Sequence, residues 1–301
     1  MTIVKRVLQD KARQVIGVGL SPIRSRSSNW VLWTSSKMRG GNYLYQWLRV
    51  WRQREEGITA KILHQPGMDG WLEMFPRLQE LTIERSEVGL FYHRFYDDGQ
   101  LYRSFGEQHL AQFIREYLLS SRAFVELVHQ KREKFARYEA PLAVLNVRRG
   151  DYYSNPEFYQ EYGMNIRRYV LTVLERIGNL KSLHIVSDGI QWCQDSIPQW
   201  VPNLTLGYED DGPRIWGDLA TLAAAPRLIL ANSTFSYWGG YLNEVVAEDA
   251  GFPSSIWAPS FHVRGMNGGR SWHLAPSWCV VDNAQWEQLP PDDEEGRHET
   301  P

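Results

Sequence analysis

Three apolar segments of this sequence are each followed by side chains that could hold a negatively charged ligand. Guanidinium groups offer forked N–H donors that match phosphate oxygens, and hydroxyl and backbone N–H groups at the start of a helix attract anions. The plainer alternatives are surface ion pairs for the arginines and an ordinary helix cap. The side chains concerned are Arg148 and Arg149, Asp188, and Asn232, Ser233 and Thr234.

The elements that must position these residues alternate in the second half of the sequence. Short apolar runs predict strands, and the amphipathic runs between them predict helices. Repeated strand–helix units predict a parallel sheet in which ligands bind beyond the carboxyl ends of the strands. The predicted strands are 142–147, 183–186, 204–206, 228–230 and 255–257, and the predicted helices are 165–177, 190–196, 215–224 and 235–247. Asp218 lies on one of these helices, where it could accept from a guanine edge or a ribose hydroxyl, or form a surface salt bridge.

The first half of the sequence predicts a second α/β layer. It contains a predicted strand at 30–34, a loop at 35–42, a helix over 43–56 and a strand at 58–63, and residues 107–138 are predicted to be helical. Four segments are therefore expected: a basic amphipathic extension and linker over 1–29, an N-terminal α/β domain over 30–140, a C-terminal Rossmann-like domain over 141–289, and an acidic disordered tail over 290–301.

Motifs of several other mechanisms are absent from the sequence. There is no Gly-x-x-x-x-Gly-Lys-Ser/Thr loop, no Gly-x-Gly-x-x-Gly fingerprint and no Gly-x-Ser-x-Gly turn. The eight His residues are scattered without a His-Glu-x-x-His motif, and no Asp-x-Asp follows a predicted strand. The sequence therefore predicts no metal site.

The composition excludes several classes of protein. Of the 301 residues, 43% are hydrophobic and 23% are charged, which is typical of a globular protein and excludes disordered, collagenous and coiled-coil chains. The net charge of -2 argues against a nucleic-acid-binding polycation. Two cysteines, no long apolar run and no convincing signal peptide favour a reducing compartment, and we expect a cytoplasmic protein.

Three sequence blocks between about residues 142 and 245 occur together in one order. Residues 146–152 read Asn-Val-Arg-Arg-Gly-Asp-Tyr, residues 186–193 read Val-Ser-Asp-Gly-Ile-Gln-Trp-Cys, and Asp218-Leu219 precedes Asn-Ser-Thr-Phe-Ser-Tyr-Trp at 232–238. They resemble His-x-Arg-Arg-x-Asp, Phe-Ser-Asp-Asp-x-x-Trp-Cys and Asn-Ser-Ser-Phe-Ser-Trp-Trp of the α-1,2- and α-1,6-fucosyltransferase superfamily, in the form of its α-1,2 branch, glycosyltransferase family 11. Asn146 stands where the first motif has His, and Gly189 where the second has Asp.

The resemblance implies an α/β fold of the GT-B type, with two Rossmann-like domains. It also implies inverting transfer of L-fucose from GDP-fucose to a glycan hydroxyl, α-1,2 to galactose, with no cofactor and no required metal. The implied roles are catalysis by Arg148, recognition of the guanine by Asp218, and binding of the donor by the matching polar residues, which are Asn146, Arg148, Arg149, Asp188, Asp218, Asn232, Ser233, Thr234 and Ser236. An arginine and a helix N-terminus suit this reaction, because negative charge develops on the leaving GDP.

Two questions stay open at this level. Asp151 could be the general base that reaches the acceptor hydroxyl, or it could clamp one of the arginines. The alternatives to GDP-fucose transfer are a transferase for another GDP-sugar and a catalytically silent protein that binds nucleotides or carbohydrates. Retention of Arg148, Arg149 and Asn232 argues against the silent alternative.

The amino-terminal region has a charge pattern of its own. Residues 1–54 carry eleven basic residues and one acidic residue, a net charge of +10, and residues 1–18 predict a basic amphipathic helix. This helix has two alternative partners: its own domain, or an anionic surface at the inner face of a membrane. A peripheral enzyme acting on lipid-linked glycans would use the second.

Overall fold

The computed structural model describes residues 24, 26–35, 38, 40–96, 106–209 and 215–282. The chain divides into two compact units, Met1–Ser104 and Phe105–Pro301, and each contains one parallel sheet. The predicted helix at 1–18 and the predicted acidic tail at 290–301 lie outside the described residues.

The first unit is built on a four-stranded sheet in the order β3-β2-β1-β4. Its strands are β1 (Asn29–Trp33), β2 (Thr59–Leu63), β3 (Thr82–Ile83) and β4 (His93–Tyr96), and its helices are α1 (Gly41–Glu55) and the short α2 (Asp69–Met74). Helix α1 packs on β2 and buries Trp47, whose indole N–H donates to Thr82 Oγ1 at 3.0 Å. One large aromatic side chain thus links the helix to the strand at the sheet edge.

The second unit is built on a six-stranded parallel sheet in the order β10-β9-β8-β5-β6-β7. Its strands are β5 (Leu142–Val147), β6 (Ser182–Ser187), β7 (Thr205–Tyr208), β8 (Leu228–Ile229), β9 (Ile256–Pro259) and β10 (Cys279–Val281). All six residues of β5 are buried, as expected for an inner strand of a parallel sheet that is covered on both faces. The carboxyl end of β5 therefore lies near the middle of the edge that the carboxyl ends of the strands form.

Helices cover both faces of this second sheet. They are α3 (Glu107–Phe113, continued by a π-helical turn at Ile114–Leu118), α4 (Arg122–Phe135), α5 (Gly150–Ser154), α6 (Pro156–Tyr162), α7 (Ile166–Ile177), α8 (Ile190–Trp200), α9 (Ile215–Ala224) and α10 (Thr234–Asp249). Helix α7 is capped by Asn165, whose side chain accepts from the Arg168 N–H, and it ends at Gly178 with a φ of 62°. The start of α7 thus follows ordinary capping chemistry, and its end has a positive φ that favours glycine.

The α/β class with two Rossmann-like units is confirmed by the two parallel sheets. The division between the units falls earlier than the sequence predicts, at 104/105 instead of 140/141. The reason is that α4 packs against α9, and α3 against α10, so that the predicted helical region 107–138 belongs to the second unit. That region is also interrupted, since Ser121 begins a new helix by accepting from the Phe124 N–H.

In the described part of the chain, none of the helices has both the length and the apolar character needed to cross a membrane.

Candidate functional site

Arg148 lies directly after β5 and is held by two carboxylates. Its Nη1 donates to Asp188 Oδ2 at 2.5 Å, and its Nη2 donates to Asp151 Oδ1 at 2.5 Å. The side chain remains 33% exposed, so it is fixed in direction but open to a ligand. Asp151 in this structure is a clamp on the guanidinium, which is one of the two roles that the sequence leaves open.

Asp188, which follows β6, connects both arginines. Its Oδ1 accepts from the backbone N–H of Arg149 at 2.7 Å, while its Oδ2 accepts from the side chain of Arg148. This close approach of Asp188 to the turn depends on Gly150, which has a φ of 22°. A Cβ atom at residue 150 would collide with the Asp188 carboxylate. A glycine is therefore required between the arginine pair and Asp151 for steric reasons.

Arg149 contacts two aromatic rings. Its Cζ lies 4.1 Å from the ring centroid of Tyr153 and 4.1 Å from that of Trp192. Such contacts hold a guanidinium through the negative faces of the rings. The two rings and the bond from its backbone N–H to Asp188 thus hold Arg149, and with it the turn that carries Arg148.

A chain of hydrogen bonds connects β5 to the start of α10. Asn146 donates to the carbonyl of Val186 at 3.2 Å, and its Oδ1 accepts from the hydroxyl of Ser236. The hydroxyls of Ser236 and Ser233 are 2.7 Å apart, and Ser233 Oγ accepts from the Ser236 N–H at 3.1 Å. Asn146 and Ser236 are buried and engaged with each other, so their contribution here is to hold the helix start beside Arg148. Their predicted contacts with a donor stay a prediction.

The segment Asn232-Ser233-Thr234 begins α10 as predicted. Asn232 is 3% exposed and donates from Nδ2 to the carbonyls of Tyr162 at 2.8 Å and His262 at 3.1 Å. Ser233 is the N-cap, and the half-buried Thr234 is the first residue of a 16-residue helix. The N-terminus of such a helix carries partial positive charge and can bind an anion.

A neutral aromatic cluster supports this loop, and sequence reasoning missed it. The Tyr237 hydroxyl lies 3.1 Å from His262 Nδ1, and the rings of Tyr237 and His273 stack at 5.1 Å. Burial lowers the pKa of His262 to about 4, and burial, followed by the neighbouring His262, holds the pKa of His273 well below its usual value. Both imidazoles are therefore uncharged near neutral pH. No motif signals them, because they lie 30 and 41 residues beyond Asn232.

Two tyrosines beside Arg148 were also missed as parts of the site. The Arg148 guanidinium lies 5.0 Å from the ring centroid of Tyr152, and that ring stacks on Tyr162 at 4.4 Å. Burial raises the pKa of the Tyr152 hydroxyl, which stays protonated. The only signal in the sequence is the Tyr that follows Arg-Arg-Gly-Asp.

Direct hydrogen bonds join most of the predicted residues into two groups: Arg148, Asp151, Asp188 and Arg149 in one, and Asn146, Ser236 and Ser233 in the other. Asp218 lies half-buried in the first turn of α9. Across the described ranges no three His, Cys, Asp or Glu side chains come together in a group that could hold a metal ion. The prediction of a metal-free reaction stays a prediction.

These features define the second unit as a Rossmann-like α/β unit with a candidate anion site at the carboxyl edge of its sheet. A model of glycosyl transferase family 11 matches residues 92–247, which is more than half of the chain and includes both arginines and Asn232. The chain belongs to glycosyl transferase family 11.

Two Escherichia coli proteins are similar in sequence. An alpha-1,2-colitosyltransferase is 34% identical over 107 residues, which are 33% of this chain and 35% of that protein. The O-antigen biosynthesis glycosyltransferase WbnK is 26% identical over 102 residues, 33% of each chain. The chain thus matches about one third of the length of these curated relatives.

Among solved structures, POFUT1 in complex with GDP gives a TM-score of 0.42 at 10% identity, covering 76% of this chain and 98% of that one. POFUT1 in complex with GDP-fucose gives a TM-score of 0.37 at 14% identity, covering 79% of this chain and 75% of that one. Because both TM-scores lie under 0.5, the α/β class rests on this chain's own two parallel sheets.

Proposed function

We propose that this chain is an inverting glycosyltransferase that transfers L-fucose from GDP-fucose to a glycan hydroxyl, forming an α-1,2 linkage to galactose. The observation that carries the proposal is the fixed guanidinium of Arg148 at the carboxyl end of β5, clamped by Asp151 and Asp188. Membership in glycosyl transferase family 11 supports the reaction class.

In the proposed mechanism the leaving group, GDP, binds at the carboxyl edge of the sheet in the second unit. When the glycosyl–phosphate bond breaks, negative charge develops on the GDP. Arg148 and the backbone N–H groups at the start of α10 stabilise that charge without prior reorganisation, because both are already held by the protein. In this mechanism Asp188 and Asp151 orient the guanidinium, and no metal or other cofactor takes part. Activity that is unchanged by EDTA would support the last point, and loss restored by Mg²⁺ or Mn²⁺ would contradict it.

A second donor is favoured by one observation. The relative that is 34% identical is named an alpha-1,2-colitosyltransferase, so GDP-colitose is an alternative to GDP-fucose. A silent binding protein is a third alternative, and the retained arginine clamp argues against it. The proposed acceptor is a glycan, and a lipid-linked glycan at the inner face of a membrane would suit the basic residues in 1–18. Under that proposal the protein is cytoplasmic, and it co-sediments with anionic vesicles at low salt and dissociates as salt rises.

Isothermal titration with GDP, GDP-fucose, GDP-colitose and GDP-mannose tests the donor, and NMR of the product tests the anomeric outcome. We expect tight binding of GDP, transfer from a 6-deoxy donor and an inverted anomeric centre. We also expect that Arg148→Ala lowers turnover by a factor of a hundred or more, about 3 kcal/mol in the barrier, and that Arg148→Lys restores little of it. Absence of GDP binding, or wild-type turnover in Arg148→Ala, would overturn the proposal.

A further inference from the structure

A charged cluster is buried at the carboxyl end of β7, and the proposed chemistry does not use it. Glu209 has a side chain that is 1% exposed, and its Oε1 accepts from Lys131 Nζ at 2.7 Å. Its Oε2 accepts from Thr221 Oγ1 at 2.8 Å and lies 3.0 Å from His184 Nε2. Lys134 Nζ approaches Oε1 at 3.4 Å. One carboxylate therefore connects four side chains.

These partners come from different elements of the second unit. The two lysines lie on α4, His184 lies on β6, and Thr221 lies on α9. Burying a carboxylate is costly even when it is paired, so a cluster of this kind is weak evidence for stability alone. Its distinctive property is geometric, because it fixes α9 at a set distance from β7 and α4.

The rest of α9 is fixed independently at its carboxyl end. Asn243 of α10 donates from Nδ2 to the carbonyls of Leu222, Ala223 and Ala225 at 3.2, 3.2 and 2.8 Å. Gly239 lets α10 approach the side chain of Leu222, where an added Cβ would collide. These contacts hold the last turn of α9. The turn that contains Asp218 has a contact of another kind, the hydrogen bond from the Thr221 hydroxyl to Glu209.

We propose that Glu209, acting through Thr221, is a positioning residue that aims Asp218 at the guanine of the donor nucleotide. Asp218 and Thr221 are three residues apart and therefore lie on the same face of α9. A rotation or shift of this turn moves Asp218 directly. The inference rests on the proposed function and on the guanine recognition that the family resemblance implies for Asp218.

The readout is discrimination between two nucleotides. Inosine diphosphate differs from GDP only in lacking the exocyclic 2-amino group, which is one of the donors that a carboxylate at the guanine edge would accept. A hydrogen bond to a charged acceptor corresponds to about a tenfold or larger difference in affinity. We expect the wild-type protein to bind GDP at least about tenfold more tightly than inosine diphosphate, and Asp218→Asn to lose most of that ratio.

Three variants separate positioning from general stability. Thr221→Val removes the hydroxyl that links Glu209 to α9, and we expect the GDP to inosine diphosphate ratio to fall toward one. Thr221→Ser keeps the hydroxyl, and we expect it to keep the ratio. Tyr138→Phe is the matched control, because it removes a hydroxyl at the far end of the same cluster, 2.9 Å from His184 Nδ1 and not on α9. We expect Tyr138→Phe to lower the melting temperature without changing the ratio.

Each outcome has a defined meaning. If Thr221→Val keeps the wild-type ratio, or if Tyr138→Phe lowers the ratio equally, the inference is wrong while the role of Asp218 stands. If the wild-type protein binds both nucleotides equally, the role of Asp218 is wrong, and the inference is overturned with it. If Thr221→Val does not fold, the same titrations on Glu209→Gln decide, and an unchanged ratio there overturns the inference.

Discussion

Arg148 and Asp188 are forty residues apart in the sequence, and their Nη1 and Oδ2 atoms are 2.5 Å apart in the structure. The contact joins the carboxyl ends of β5 and β6, which pair in register up to Val147 and Ser187. Because Asp188 also accepts the N–H of Arg149, one carboxylate sets the position of both arginines. The guanidinium proposed to bind the leaving group is therefore oriented before a ligand arrives, which lowers the cost of binding and catalysis.

Asp188→Asn tests this preorganisation. The amide keeps the shape of the side chain but loses the charge that holds the Arg148 fork. We expect turnover to fall about tenfold or more, with weaker GDP binding, because Arg148 loses its direction. Steady-state kinetics and titration with GDP measure both effects. Asp195→Asn is the matched control, since Asp195 is exposed on α8 and contacts Gln191. Wild-type behaviour of Asp188→Asn would contradict the prediction.

Asp151→Asn separates the clamp from a general base. In the structure Asp151 accepts from Arg148 Nη2, so we expect GDP affinity and turnover to fall together. A base would behave differently, because its loss removes turnover and its own ionisation from the pH–rate profile while GDP binding stays intact. The measurement is a pH–rate profile beside a GDP titration. Glu157→Gln, an exposed change on α6, is the control and should alter neither quantity.

Gly150→Ala tests the close approach of Asp188 to the turn after β5. The added methyl group would collide with the carboxylate, and a φ of 22° disfavours any side chain. We expect both a lower melting temperature and loss of GDP binding. Gly178→Ala is the control, since its φ is 62° but no atom lies within 4 Å of the added Cβ. Backbone strain alone should cost it about 1–3 kcal/mol and leave GDP binding unchanged. Wild-type GDP affinity in Gly150→Ala would exclude the collision.

The sequence predicts the second unit better than the first, for a physical reason. Strand β5 is buried on both faces and reads as a continuous apolar run, so its position and the arginines after it follow from the pattern. Strands β3 and β4 have two and four residues at the sheet edges, too short for a periodicity, and they were not predicted. The supports of the site, such as His262 and the ring of Trp192 over Arg149, act through tertiary contacts that no spacing encodes.

The low pKa of His262 predicts how stability varies with pH. In the folded protein its pKa is about 4, because burial disfavours the charged imidazole, while in the unfolded chain it is about 6.5. Between these values the unfolded state binds a proton that the folded state does not. Stability from this group is therefore complete above about pH 6.5 and decreases as the pH falls toward 4.

Thermal unfolding at pH 7.5 and pH 5.0 checks this expectation. We expect a lower melting temperature at pH 5.0, with a smaller decrease in His262→Gln, although His273 retains part of the effect. His129→Gln is the control, because His129 lies on the exposed side of α4 with a side chain that is 66% exposed. It should show the wild-type pH dependence. Equal decreases in His262→Gln and the wild-type protein would contradict the assignment.

The aromatic enclosure of Arg149 gives the last prediction. The ring of Trp192 lies 4.1 Å from the guanidinium, and a contact of this kind contributes about 1 kcal/mol or more when it is shielded from water. Arg149 anchors the turn that carries Arg148, so we expect Trp192→Leu to weaken GDP binding by about fivefold and Trp192→Phe to retain most of it. Trp200→Leu is the control on the same helix, because this substitution removes a comparable apolar surface. The ring of Trp200 lies edge-on to the ring of Trp192, with the ring centroids 5.5 Å apart. It should lower the melting temperature with little effect on GDP affinity. If Trp192→Leu folds and binds GDP as the wild-type protein does, the rings around Arg149 serve packing alone.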